Sequence, residues 1–211
     1  KTKSGKKSSN LGISFNSTTS FESPLMLPSY QNSYGQGGSK DSFEWIDGTT
    51  GDGGVDESWG PPLDAGLEFV QWNSYTVDGA PLPWVSKPDN IKDFYETGVT
   101  TNNSISFSGG AEDIGYRLSV GYMDQQGMVP NTDLSRVSIG ASSSYQMGDK
   151  FTTTVDANYT TSHSDNFVTQ GYNNENPVQQ MIWSGRNVDF NALRDWRNLP
   201  LSPAGTAAAG T

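Results

Sequence analysis

The sequence has no cysteine and a single histidine, His163, among its 211 residues. Without cysteine the chain has neither a disulfide framework nor a thiolate metal site, and the cellular compartment stays open. Cations are also scarce, because 13 Lys and Arg stand against 23 Asp and Glu, which leaves a formal charge of −10. That balance argues against nucleic-acid binding, which requires lysine and arginine clustered on one face.

Long apolar runs are absent too, since no window reaches the roughly 18 apolar residues of a membrane-spanning helix. Instead, hydrophobicity alternates with a period of two residues, in phase, along Tyr116–Tyr122, Val137–Tyr145 and Phe151–Tyr159. This period is typical of β-strands with one apolar face, and the turns between the runs predict an antiparallel meander. With two further strands, the predicted set lies near 11–21, 101–109, 115–124, 136–147 and 151–161.

The two faces of the predicted sheet differ in composition. The apolar face carries no charge and has aromatic residues near the strand ends, which is typical of transmembrane barrels. The opposite face is mainly Ser, Thr, Asn and Gly, with Arg117, Asp124 and Asp156 as its charges, and suits a hydrated lumen. Strands of about ten residues, tilted by about 45°, would rise about 23 Å, close to the apolar band of an outer membrane. The expected fold class is all-β, a partial transmembrane antiparallel β-barrel.

Short and long connections alternate between the predicted strands. Because outer-membrane barrels have short periplasmic turns and long extracellular loops, the segments 22–100, 125–135 and 162–211 are expected to be outer loops. The first of these shows no core-forming period. Capping residues predict short helices in the long loops, over Asp89–Thr97 with Gly98 as a left-handed cap, from Asn176-Pro177 onward, and over Asp189–Trp196.

The ends of the chain suggest a piece of a longer protein. The sequence starts at Lys1 without methionine and stops in an Ala/Gly/Thr-rich run. Five strands are predicted, whereas closed membrane barrels need at least about eight, so the remainder of the barrel is expected from elsewhere. Four lysines near the start are interpreted as a solvated turn on the inner side of the membrane, with phosphate or lipid binding as the alternative: Lys1, Lys3, Lys6 and Lys7.

Four segments, in this order, resemble a known family: DESWGPPLDAG (Asp56–Gly66), TNNSISFSGG (Thr101–Gly110), YRLSVGYMDQQGMVPNTDLSR (Tyr116–Arg136) and GYNNENPVQQMIWSGRNVDFNALRDW (Gly171–Trp196). With them the chain resembles the SusC/RagA-type TonB-dependent outer-membrane transporters of Bacteroidetes. The resemblance implies about five strands of a 22-stranded barrel. It also implies that 1–10 is the connection from the plug domain, and that 11–211 is the N-terminal part of the barrel domain.

The resemblance further implies a role in nutrient uptake at the cell outer membrane. The transporter would import oligosaccharides or peptides with a SusD-like lipoprotein lid on its outer side. TonB would supply energy through the missing N-terminal part, while outer-membrane lipid would surround the barrel. Neither enzymatic activity nor a cofactor is expected. The alternative is a soluble secreted β-domain that binds carbohydrate through a Trp-rich loop.

An acidic stretch in the first loop is a weak candidate for a Ca²⁺ site, because Ca²⁺ takes oxygen ligands from flexible loops. It comprises Asp47, Asp52, Asp56 and Glu57 among glycines, without the spacing of an EF-hand. We favour a solvated, turn-forming loop, and no metal site is predicted.

Aromatic and polar residues supply the remaining candidate contacts for solute or lid. Tryptophan stacks on sugar rings, but it is also buried wherever a long loop packs on itself or on a partner, and packing or lid contact is the favoured interpretation for Trp45, Trp59, Trp72 and Trp84. Polar residues of the predicted lumen face could touch solute, although contact with a plug is favoured: Asn16, Arg117, Asp124, Asp156 and Asn158. His163, between Ser162 and Ser164, does not form a catalytic triad by sequence adjacency alone.

Overall fold

A computed structural model of the chain describes residues 11–46, 50–51, 56–173 and 175–194. The chain divides into two compact units. Within the described residues, the sheet unit comprises 11–23 and 96–167, and the loop unit comprises 24–95 and 168–194. The predicted plug connection, 1–10, lies outside the described residues.

The secondary-structure elements follow in chain order. They are β1 (Gly12–Glu22), β2 (Trp45–Ile46), β3 (Thr50–Gly51), β4 (Glu68–Phe69), a 3₁₀ turn (Ser74–Val77), β5 (Leu82–Pro83), α1 (Asn90–Phe94), β6 (Gly98–Gly110), β7 (Ile114–Gln126), β8 (Asp133–Met147), β9 (Phe151–His163), α2 (Pro177–Trp183) and α3 (Phe190–Arg194). Among the described residues, no helix is long and apolar enough to cross a membrane.

The sheet unit is built on five antiparallel strands in the order β1-β6-β7-β8-β9. The prediction of a mainly β chain with a five-stranded antiparallel sheet is thereby confirmed. Within the described residues the sheet is open and does not close into a barrel. Gly148 adopts a φ of 59° in the tight turn between β8 and β9, a conformation that glycine reaches without the steric cost of a Cβ.

The strand register aligns the apolar residues across all five strands. One cross-strand row reads Phe15, Ile105, Val120, Ile139 and Tyr159. The next row joins another set of five: Ile13, Phe107, Leu118, Ala141 and Ala157. Because successive side chains point to opposite faces of a sheet, all of these residues lie on one face. A slip of one residue would move a whole strand's apolar set to the other face.

The loop unit has a hydrophobic core of its own, although no core-forming period runs through its first segment. One buried cluster comprises Trp72, Ile91, Met181, Val188 and Phe190. A second cluster comprises Phe43, Leu63 and Trp84. The first cluster joins residues from both segments of the loop unit, so its pattern is not periodic within either segment.

One of the three predicted helices differs from expectation. Helix α1 ends at Phe94, because Tyr95 is already extended, and Gly98 begins β6 instead of capping the helix. In α2 the side chain of Asn176 accepts hydrogen bonds from the backbone N–H groups of Val178 and Gln179, as predicted. Helix α3 is described only to Arg194, and Trp196 lies outside the described residues.

Candidate functional site

The apolar face of the sheet is exposed. Val120 and Ile139, at the middle of their strands, are 38 % and 39 % exposed, and Phe15 and Tyr159 are 67 % and 60 % exposed. A soluble sandwich would bury such a face against a second layer. No charged residue lies on this face between the turn beside Phe151 and the row of Tyr122.

The opposite face carries hydroxyl and amide side chains. Arg117, Ser142 and Asp156 share one cross-strand row, with the serine buried between the two charged residues. A shallow concavity on this face is lined by Asn16, Thr18, Asn102, Met123, Arg136 and Ser138, among other residues. The sheet therefore brings Asn16, Arg117, Asp156 and Asn158 to one polar face, as predicted from the alternation.

Asp124 is the exception, and its predicted placement on the lumen face is wrong. It lies two residues after Tyr122 on the same strand and therefore points to the apolar side, near the end of β7. Tyr122 directs its hydroxyl toward Asp124 Oδ1 at 3.5 Å. The cross-strand row of Asp124 also contains His163, whose Nε2 lies 3.0 Å from Asp165 Oδ1 in an exposed pair. These groups mark the end of the uncharged region of the apolar face.

Trp84 is the centre of the smaller core cluster in the loop unit. Its side chain is fully buried, and its Nε1 donates to the carbonyl oxygen of Pro61 at 3.0 Å. The rings of Phe43 and Phe69 lie 4.5 and 5.2 Å from it, centroid to centroid. A Cβ on Gly35 would lie 2.3 Å from the indole, so the backbone reaches the ring only because this residue is glycine. The role of Trp84 is packing within the loop.

Trp72 and Trp45 also serve the core. Trp72 is 6 % exposed in the larger cluster, and its Nε1 has no hydrogen-bond partner among the described residues. Trp45 is half-buried and contacts both clusters. Neither side chain is therefore exposed for stacking on a sugar ring, which was the alternative to packing for the tryptophans of this loop.

Trp59 differs from these three, because its side chain is 56 % exposed. Its ring lies 5.7 Å from the ring of Tyr34, with an angle of 51° between their planes. Lys40 places its Nζ 5.0 Å from the Tyr34 ring centroid, in a cation–π arrangement. The structure thus separates one exposed tryptophan from three that pack within the unit.

Arg186 is a buried cation that sequence reasoning missed. Its guanidinium donates to Asn32 Oδ1 at 3.0 and 2.8 Å, to Pro88 O at 2.8 Å, and to Asn90 Oδ1. Asn90 in turn donates to Val188 O at 3.0 Å. The guanidinium is thus held by amide and carbonyl oxygens from the 24–95 segment, which fixes the 184–189 segment against it.

Burial lowers the pKa of the Arg186 guanidinium, against opposing effects of Tyr30 and Asp89. Burial also raises the pKa of the Tyr95 phenol. Hydrogen bonds from the hydroxyl and the amide of Ser86 lower the pKa of the exposed carboxyl of Asp64.

The acidic stretch gives no metal centre within the described part of the chain. Asp47 and Asp52 lie outside the described residues, whereas Asp56 and Glu57 are exposed. Over 11–46, 50–51, 56–173 and 175–194, no three acidic, histidine or cysteine side chains converge as metal ligands. The weak Ca²⁺ candidate therefore stays untested, because its segment is only partly described.

Comparison with known proteins does not assign the chain to a family. Neither a protein-family model nor a curated protein matches the chain. The resemblance to the transporter family therefore remains a prediction from the four sequence segments. What the structure supplies is a sheet with one exposed apolar face and one polar face, together with a folded loop unit that presents Trp59.

Proposed function

We propose that the chain is part of a TonB-dependent outer-membrane importer, with its five-stranded sheet inserted in the membrane. The observation that carries the proposal is the exposed, uncharged apolar face, aligned row by row across five strands. Strands cross a membrane with apolar residues toward lipid and polar residues toward the lumen. Outer-membrane lipid would cover the face of Val120 and Ile139, and solute or a plug would meet the face of Arg117.

The edges of the sheet support the need for further strands. β1 and β9 each have one neighbour among the described residues, and unpaired backbone groups are costly in hydrocarbon. The remainder of the same barrel would pair with both edges. The resemblance supplies the number of 22 strands and the use of TonB through an N-terminal part that this chain does not contain.

The loop unit is proposed as the outer surface that meets a SusD-like lipoprotein. The segment 24–95 follows β1 in sequence and the segment 168–194 follows β9, and the resemblance implies that both are outer loops. Three of the large side chains that the loop unit exposes come from its second segment and are here called the lid surface: Tyr172, Ile182 and Trp183. The rings of Tyr172 and Trp183 lie 6.5 Å apart at 87°. Aromatic anchors of this kind are enriched where protein partners bind.

An adjacent pair of substitutions tests the membrane placement. Val120→Arg puts a cation on the proposed lipid face, and Ser119→Arg puts the same cation on the opposite, polar face of β7. We expect Val120→Arg to lower the free energy of unfolding in lipid vesicles by about 2–4 kcal/mol near the bilayer midplane. Ser119→Arg should cost far less, because its side chain would meet water.

Equal effects of the two substitutions on unfolding of the intact protein in vesicles would contradict membrane insertion. A protein that is monomeric and stable without detergent would favour the alternative of a soluble secreted β-domain. For the lid, Trp183→Asp combined with Ile182→Asp should reduce co-purification of a surface lipoprotein with the intact transporter, whereas Lys92→Asp on α1 should leave it unchanged. Undiminished recovery from the double variant would count against the lid surface.

A further inference from the structure

Two methionines of the loop unit lie in very different surroundings. Met26 belongs to the short apolar segment Pro24–Pro28, which follows β1, and its side chain is 86 % exposed. Met181 lies in the larger core cluster and is 5 % exposed. The flanking sequences do not separate the two, since both methionines have apolar neighbours. Tertiary packing alone leaves one thioether group in contact with solvent and shields the other.

The neighbours of Met26 anchor the segment without using its side chain. Leu27 packs against the larger core cluster, whereas Leu25 is fully exposed. The proline rings of Pro24 and Pro28 fix φ at both ends of the segment, which restricts its backbone. The segment is therefore attached to the core through Leu27, and an atom added to the side chain of Met26 would enter solvent and not the core.

Methionine supplies the only sulfur atoms of a chain without cysteine, and an exposed thioether reacts readily with peroxides. The sulfur donates an electron pair to one oxygen atom of hydrogen peroxide, so that an S–O bond forms and the O–O bond breaks. The second oxygen atom leaves as hydroxide and takes the proton of the transferred hydroxyl group, which gives water. The thioether is thereby oxidised by two electrons to a sulfoxide, and the peroxide is reduced by two electrons.

We propose that Met26 is a site of reversible oxidation by hydroperoxides, which the protein accepts without unfolding. The sulfoxide exchanges an apolar side chain for a polar one, and methionine sulfoxide reductases restore the thioether. At Met26 the new polar group meets water, so the surface of Pro24–Pro28 becomes more polar while the core stays unchanged. The same product at Met181 would bury a polar group among apolar side chains. The inference does not depend on the proposed function.

Treatment of the intact protein with hydrogen peroxide, followed by mass spectrometry of its peptides, tests this inference. We expect Met181 to react at least about tenfold more slowly than Met26, because the core must open before peroxide reaches its sulfur. Met26→Leu should remove this rapid oxidation, whereas the matched variant Met181→Leu should leave it unchanged. The amide of Val188, which donates to Gly185 O at 3.2 Å, should keep its protection from hydrogen exchange after Met26 has been oxidised.

Three results would overturn the inference. They are oxidation of Met26 no faster than that of Met181, no reaction at Met26 because another part of the intact protein covers it, and loss of protection at Val188 in protein oxidised only at Met26. Met147 reports on the membrane separately, since it is 55 % exposed and lies on the apolar face of the sheet. Oxidation of Met147 in vesicles as fast as that of Met26 would count against lipid contact there and would leave the inference on Met26 standing.

Discussion

The guanidinium of Arg186 donates two hydrogen bonds to Asn32 Oδ1, a residue 154 positions earlier in the chain. The same group reaches Asn90, 96 positions earlier. These bonds join the loop unit's second segment to its first, while four of the five strands of the sheet, β6 to β9, lie between the two segments in sequence. The loop unit therefore depends on a few long-range polar contacts as well as on its apolar clusters.

Arg186→Met should destabilise the loop unit by about 1–3 kcal/mol, because it leaves the oxygen atom of the buried Asn90 without its donor and removes the two hydrogen bonds to Asn32. Arg186→Lys should recover little, since an ammonium group lacks the planar fork of donors. The measurement is hydrogen exchange at the amide of Lys87, which donates to Arg186 O at 2.8 Å. Lys92→Met, which removes an exposed cation on α1, is the control. Equal protection of the Lys87 amide in Arg186→Met and Lys92→Met would refute the structural role of Arg186.

Gly35→Ala should destabilise the cluster around Trp84, because the added methyl group would lie 2.3 Å from the indole. Overpacking of this kind costs about 1–3 kcal/mol. Gly38→Ala is the matched control three residues away, since a Cβ there meets no atom within 4 Å. Exchange at the Trp84 amide, which donates to Leu67 O at 2.8 Å, reports the difference. The prediction fails if the Trp84 amide is equally protected from exchange in Gly35→Ala and Gly38→Ala.

Asp64 gives the loop unit a dependence on acidic pH. Its carboxylate accepts from the amide and the hydroxyl of Ser86 at 3.1 and 2.6 Å, and these bonds lower its pKa below the usual 3.8. A carboxyl group whose pKa is lowered by folding contributes stability above its unfolded value, and that contribution is lost as the pH falls through the folded pKa. We therefore expect the loop unit to lose stability below about pH 4.

Asp64→Asn is the matched variant for this pH effect. The residue has a φ of 60°, which asparagine tolerates as well as aspartate does, and the amide can still hydrogen-bond to Ser86. The variant should remove the part of the acid dependence that comes from this carboxyl. Tryptophan fluorescence across an acid titration measures it, and identical profiles for the two proteins would show that Asp64 does not contribute.

Asn176→Ala should lower the stability of α2 by about 1 kcal/mol, because the side chain caps the amides of Val178 and Gln179 at 3.1 and 3.3 Å. Asn176→Ser should retain most of the cap. Gln180→Ala, inside the same helix, should have little effect, since alanine is the best helix former. Amide exchange in α2 distinguishes them, and a larger loss from Gln180→Ala would contradict the cap.

The sheet could be predicted from the sequence because its information is local. Alternation along β7, β8 and β9 assigns each side chain to a face, and a register without slips keeps the apolar sets of neighbouring strands on the same face. Asn176-Pro177 likewise predicted the start of α2 within one turn. The placement of Asp124 went wrong where the alternation was not carried past Tyr122, although the period of two itself would have put both residues on the same side.

The loop unit could not be predicted in the same way, because its contacts join residues that are far apart in sequence. Four tryptophans in one irregular segment have the same local signature. Tertiary packing alone decided that Trp84 and Trp72 are buried, that Trp45 lies between the two clusters, and that Trp59 is exposed. Arg186 shows the same principle for charge, since its burial is compensated by oxygen atoms that only the folded chain brings within hydrogen-bonding distance.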